Sequence, residues 1–237
     1  MNGAPAPGLF GKLPWAGDFL REGLPSAFVT PWDGWISHVL AASRAAPRSE
    51  WPKAYLLSPP WRFRLDPGLI GETGWTGVIA SSVDRVGRHY PLTIAVAFSA
   101  APQPPLEDAL LDLVESAALD LIANERPPVD ALMLLHMRIR AEAAMGQRHA
   151  VSHFVGPLGR NEPARLAIEE AAERIDPRSA DAAPSGPRSR WWHRRWQDRP
   201  AEALSCHGLP ETAAGAGLFD GLWLDHGWRA PADGDGR

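Results

Sequence analysis

WTGVIASSVDRVGRHYPLTIAVAF, residues Trp75–Phe98, sets an acid, two arginines and a histidine between two apolar runs. The first run, Trp75 to Ala80, has the character of a strand. In the second, Leu92, Ile94, Val96 and Phe98 alternate with Thr93, Ala95 and Ala97, the period-2 pattern of a half-buried strand. The intervening Ser81–Pro91 therefore closes a hairpin. Gly87 can supply positive φ in its turn, and Pro91 at the head of the next strand removes a donor only where none is needed. A hairpin makes Asp84, Arg85 and Arg88 neighbours in space, as either a recognition surface or a buried polar clasp.

Outward from the hairpin, Leu9 to Pro14 reads as a first strand and Gly17 to Arg21 as a turn. Thr30 is a suitable helix N-cap, with Pro31 in the first helical position and Asp33 at the third; Trp32, Trp35, Ile36, Val39 and Leu40 then mark one helical face. Ala54 to Ser58 and Trp61 to Leu65 read as two short strands around Pro59-Pro60. Trp61, Phe63 and Leu65 share a face; Arg62 and Arg64 lie on the other, solvated or meeting a carboxylate such as Asp84.

The period turns helical after Pro105. Leu110, Leu111, Val114, Ala117, Ala118, Leu121 and Ile122 form a stripe that leaves Asp108, Asp112 and Glu115 outside it. A second helix through Leu132, Leu135, His136 and Ile139 ends at Gly146, and residues 163–174 suggest another. The run 176–189 is expected to be a mobile loop, Arg190 to Trp192 a strand, and Gly208-Leu209-Pro210 the entry to a last helical stretch through Trp223. These elements predict a single α/β domain over 1–228 with a frayed tail at 229–237. Its expected form is a layered sandwich with a central, largely antiparallel or mixed sheet flanked by helices.

Composition narrows the function classes. A formal charge of −4 over 237 residues gives no bias toward nucleic acid or a membrane surface. Cys206 is the single cysteine, so no intramolecular disulfide can form, and cytoplasm is the expected compartment. The N-terminus has no basic and apolar leader pattern, and no window reaches the roughly 20 apolar residues of a membrane span. Eleven tryptophans against two tyrosines are read as core residues for the most part, with an exposed aromatic anchor for a partner as the alternative.

Several constellations suggest chemistry, each with a plainer alternative. Ser81 or Ser82, His89 and Asp84 supply the residue types of a nucleophilic triad, but all lie within nine residues on one hairpin and no G-x-S-x-G elbow is present. A small hydrolase or phosphoester-handling enzyme built on the Asp84–His89 loop is the alternative function. His149 and His153 have a metal-ligand spacing, yet Gly146 is expected to end the helix before them, and Cys206-His207 is an isolated pair. Arg188 to Trp196 interleaves basic and aromatic residues as single-strand binders do, but fits a core strand with snorkelling arginines better. No glycine-rich phosphate cradle occurs. No cofactor or metal is expected.

Gly11-Lys12-Leu13-Pro14, Gly17-Asp18-Phe19, Leu24-Pro25, Pro31-Trp32-Asp33, Trp61-Arg62-Phe63 and Ser82-Val83-Asp84-Arg85-Val86-Gly87-Arg88-His89-Tyr90-Pro91-Leu92-Thr93 occur in this order. Together they resemble the TagF (also ImpM) family associated with bacterial type VI secretion. The resemblance is dense to about residue 100 and then thins to Trp191-Trp192 and Gly208-Leu209-Pro210. It implies an α/β fold and a cytoplasmic, non-enzymatic accessory protein that represses type VI secretion after translation. The implied partner is a forkhead-associated scaffold protein, with a phosphatase as a conceivable second. It brings no catalytic residues. Asp84, Arg85, Arg88, His89, Arg62 and Asp18 are the candidates for partner binding or a structural clasp. An enzyme should gather Asp84, Arg85, Arg88 and His89 in a concave pocket, whereas a binder should show a flatter patch or a clasp.

Overall fold

In a computed structural model, residues 6–45, 50–98, 104–152, 172–175 and 186–228 are described. The strands are β1 (Pro7–Gly11), β2 (Leu20–Glu22), β3 (Trp61–Leu65), β4 (Gly74–Ala80), β5 (Leu92–Phe98), β6 (Ala172–Ile175), β7 (Arg188–His193) and β8 (Glu202–His207). They make one sheet in the order β2-β1-β5-β4-β3-β7-β8-β6. Neighbours pair antiparallel except β6, which runs parallel to β8, so the sheet is mixed and mainly antiparallel, as expected. β4 and β5 form the predicted hairpin, with Ala80 opposite Leu92 and Gly74 opposite Phe98. The two strands approach closely at Gly77, where a Cβ would fall 2.2 Å from the Ile94 carbonyl oxygen.

Helices cover both faces. Strand alternation sends Phe10, Trp61, Phe63, Leu65, Trp75, Ile79 and Trp191 to one side. There they pack with α1 (Ser26–Ala45), α2 (Trp51–Leu56), α5 (Thr212–Gly215) and α6 (Gly217–Asp220). Leu9, Val78, Leu92, Ile94 and Val96 face the other way, onto α3 (Pro104–Ala123) and α4 (Pro128–Ser152). The layered α/β sandwich is therefore observed. Since both faces are covered, β5 is buried on both sides over most of its length, not half-buried as its alternation implied. Most of the tryptophans are core residues, as expected: Trp32, Trp51, Trp61, Trp75, Trp191, Trp223 and Trp228 are buried, and the remaining four are partly so.

Local expectations fail where packing overrides local signals. α1 begins at Ser26, not after Thr30: the Pro25 carbonyl accepts from the Phe28 and Val29 N–H groups, and burying those two side chains adds a turn ahead of Pro31. Residues 54–58 are not a strand, because Trp51 and Tyr55, one turn apart, are both buried by forming α2. α4 runs through Gly146 to Ser152; a helical glycine costs only about 1 kcal/mol against alanine, less than the packing of a long helix supplies. His149 therefore lies on that helix, while His153 is outside the described residues. Of the helix expected at 163–174, only Ala172–Ile175 is described in part, and it is strand. Of the expected 176–189 loop, Arg188 and Ser189 already belong to β7; 176–185 and the tail 229–237 lie outside the described residues.

Candidate functional site

The Ser81–Pro91 loop is built around one buried carboxylate. Asp84, 2% exposed, accepts at Oδ2 from Lys12 Nζ at 3.0 Å and from Arg88 Nε at 2.6 Å. Its Oδ1 accepts from the backbone N–H groups of Val86 at 3.1 Å and Arg88 at 2.9 Å. The Asp84 backbone closes the same turn, donating to the Arg88 carbonyl and accepting from Gly87 N–H, with Gly87 in the predicted positive-φ conformation at 81°. The loop is also tied to the segment after β1. Arg85 N–H donates to the Ala16 carbonyl, and Arg88 Nη2 donates to the Gly17 carbonyl.

Asp84 thus has four donors and almost no access to solvent. It cannot take a proton from a bound molecule in this arrangement, and one of the two alternatives left open by the sequence, a polar clasp, describes it. Lys12 is the residue that sequence reasoning missed. It lies within Gly11-Lys12-Leu13-Pro14, where nothing local marks a lysine after a strand as buried. At 6% exposure it needs the partner that Asp84 provides.

The other candidates disperse. His89 leans away from Asp84, edge-on to Trp51 and Tyr55 with centroids 5.2 Å away in each case, while its carbonyl accepts from Arg44 Nη2. Burial, then the Arg44 charge, push its imidazole below the ordinary value, so it is neutral at neutral pH. Ser81 Oγ pairs with Ser58 Oγ, and Ser82 Oγ donates to the Val83 carbonyl. The triad residue types are present without the triad bonds. Asp18 is exposed, with Oδ1 accepting from Phe19 N–H.

Arg62 does not meet Asp84. It is 1% exposed beneath α3, donating to Asp112 at 2.6 Å and Glu115 at 2.7 Å, and Arg64 beside it pairs with Glu107. The signal for this was the acidic row Asp108, Asp112 and Glu115 left outside the α3 stripe. Arg194 also bridges to Asp112, and Trp191 and Trp192 enter opposite faces of the sheet, so the basic-aromatic run is core strand with its flanking arginine held by a carboxylate.

The Asp84 clasp has a pH signature. Burial by itself would raise the carboxyl's pKa, but the Arg88 N–H, the Lys12 ammonium, the Arg88 guanidinium and the Val86 N–H outweigh it and hold the group well below its ordinary value of 3.8. A depressed folded-state pKa contributes stability that is complete above about pH 5 and is lost as pH falls through the carboxylate range. Asp84→Asn should therefore melt below wild type at neutral pH, and the gap should narrow progressively below 3.8. Melting curves across that range check it. A gap independent of pH would mean that the Asp84 charge is not what holds the loop.

The family model of the TagF N-terminal domain, described as type VI secretion system-associated, matches residues 8–136. That span runs from β1 into α4 and includes Lys12, Arg62 and the whole clasp. The crystal structure of PA0076 from Pseudomonas aeruginosa PAO1 is similar over 91% of this chain and 94% of that one, at 31% identity and a TM-score of 0.62. No curated protein matches.

Proposed function

We propose, from the premise that this chain belongs to the TagF family of type VI secretion-associated proteins, that it is a cytoplasmic protein that represses type VI secretion after translation by binding a forkhead-associated scaffold component. The observation that carries this reading is the family match over 8–136. The clasp supports action by binding, since it spends Asp84 on holding two loops in one shape instead of leaving it to move protons. Repression is by sequestration, so its extent follows the ratio of this protein to the scaffold.

Secretion by the host provides the test. Deleting the gene should raise export of a type VI substrate, expressing extra copies should lower it, and raising the scaffold level in step should relieve the block. Deletion that abolishes export would make the protein an assembly component, and repression by a variant that binds no secretion component would exclude sequestration.

A further inference from the structure

The side chains that alternate around the clasp have opposite fates. Asp84 and Lys12 turn inward; Arg85, Val86 and Arg88 turn out, with Val86 71% exposed at the tip. Arg85 has no side-chain hydrogen bond or ion pair among the described residues, and its Nη2 lies 3.2 Å from where a Cβ on Gly17 would be. Its guanidinium therefore rests over the neighbouring loop with its donors free. Two residues along that loop is Phe19, 43% exposed and braced from behind by Phe10 and Tyr90 at 5.6 and 4.6 Å. Lys12 joins the two loops, its ammonium 4.9 Å from the Phe19 ring centre while bonded to Asp84. Asp18 on the same edge turns one oxygen to its neighbour's N–H.

The result is two apolar side chains and two arginines on backbone fixed by the hydrogen bonds of the clasp. Deepening the binding reading above, on which it rests, we propose that this edge is the docking surface and that its occupant is an acidic peptide segment bearing an apolar side chain. Charge complementarity identifies the occupant. The free arginine fork matches a carboxylate, and Val86 and Phe19 offer an apolar anchor that an extended polyanion would not use. Two exposed cations on a chain of net charge −4 are too few to hold a nucleic acid or a lipid surface. Because the clasp presets the loop, little ordering entropy is lost on docking.

The test is calorimetric titration of the host's purified forkhead-associated scaffold, before and after phosphatase treatment, into the full chain. The double variant Arg85→Glu/Val86→Ser leaves Lys12, Asp84 and Arg88 in place, and Arg190→Glu, exposed on β7, is the charge-reversal control. The expected result is at least about tenfold weaker binding by the double variant, with its melting temperature and the control's affinity both unchanged. Wild-type affinity in the folded double variant would overturn this surface while leaving the sequestration reading intact. Binding that disappears on dephosphorylation would overturn the carboxylate assignment. A wild-type chain that does not bind the scaffold in either form defeats the sequestration reading and this surface with it.

Discussion

Trp32→Ala is expected to remove a large share of the protein's stability. The indole is fully buried on α1, with Phe28, Trp35, Phe63 and Trp191 around it at ring-centre distances of 4.9 to 6.0 Å, and its Nε1 donates to Thr93 Oγ1 on β5 at 2.9 Å. Truncating a core tryptophan costs about 3–5 kcal/mol, against about 5–15 for a whole domain. Thr93, itself buried, would also lose its donor, so the upper part of that range applies. The urea midpoint measures it. A loss below about 1 kcal/mol would mean that α1 is not seated on the sheet through this residue.

The second large effect concerns Arg62 and depends on which partner is removed. Its side chain is 2% exposed, whereas Asp112 and Glu115 are 45% and 19% exposed. The carboxylates can reach water without the arginine, but the guanidinium cannot reach it without them, nor can it shed its proton. Asp112→Ala with Glu115→Ala therefore strands a buried cation, at about 3–5 kcal/mol. Asp108, whose carboxyl is pushed up by burial but held back by Arg62, remains close enough to keep the loss near the lower end. Arg62→Met in that double background deletes the stranded charge and should restore most of the stability, because an apolar replacement of a buried ion pair is close to neutral. Chemical denaturation of the double and triple variants decides it; a triple variant weaker than the double would mean that Arg62 acts through packing alone.

Both predictions show what a one-dimensional pattern carries. That Trp32 faces the core follows from its spacing with Ile36, Val39 and Leu40, and the structure agrees. That Arg62 and Arg64 oppose Trp61, Phe63 and Leu65 follows from strand alternation, and it agrees again. Which of two fates the arginines take did not follow: solvent and a carboxylate such as Asp84 were the options, and carboxylates are the outcome, but those of α3 and not Asp84. The same holds for α2, where the apolar run 54–58 was too short to separate a strand from the helix that buries Trp51 and Tyr55 together.

The candidate site divides along the same line. The hairpin, the positive φ of Gly87 and the family signature are properties of consecutive residues, and the sequence alone determined them. So were the alternating strands and the helical stripes that made the sandwich predictable. Only the tertiary structure decided that Asp84 answers Lys12 across 72 positions, that His89 belongs to Trp51 and Tyr55, and that Arg85 is left facing solvent. The physical reason is that periodicity reports which face a side chain takes, through geometry repeated every two or 3.6 residues. Which charge it then meets depends on the order in which strands assemble and on which partners that order seals away from water.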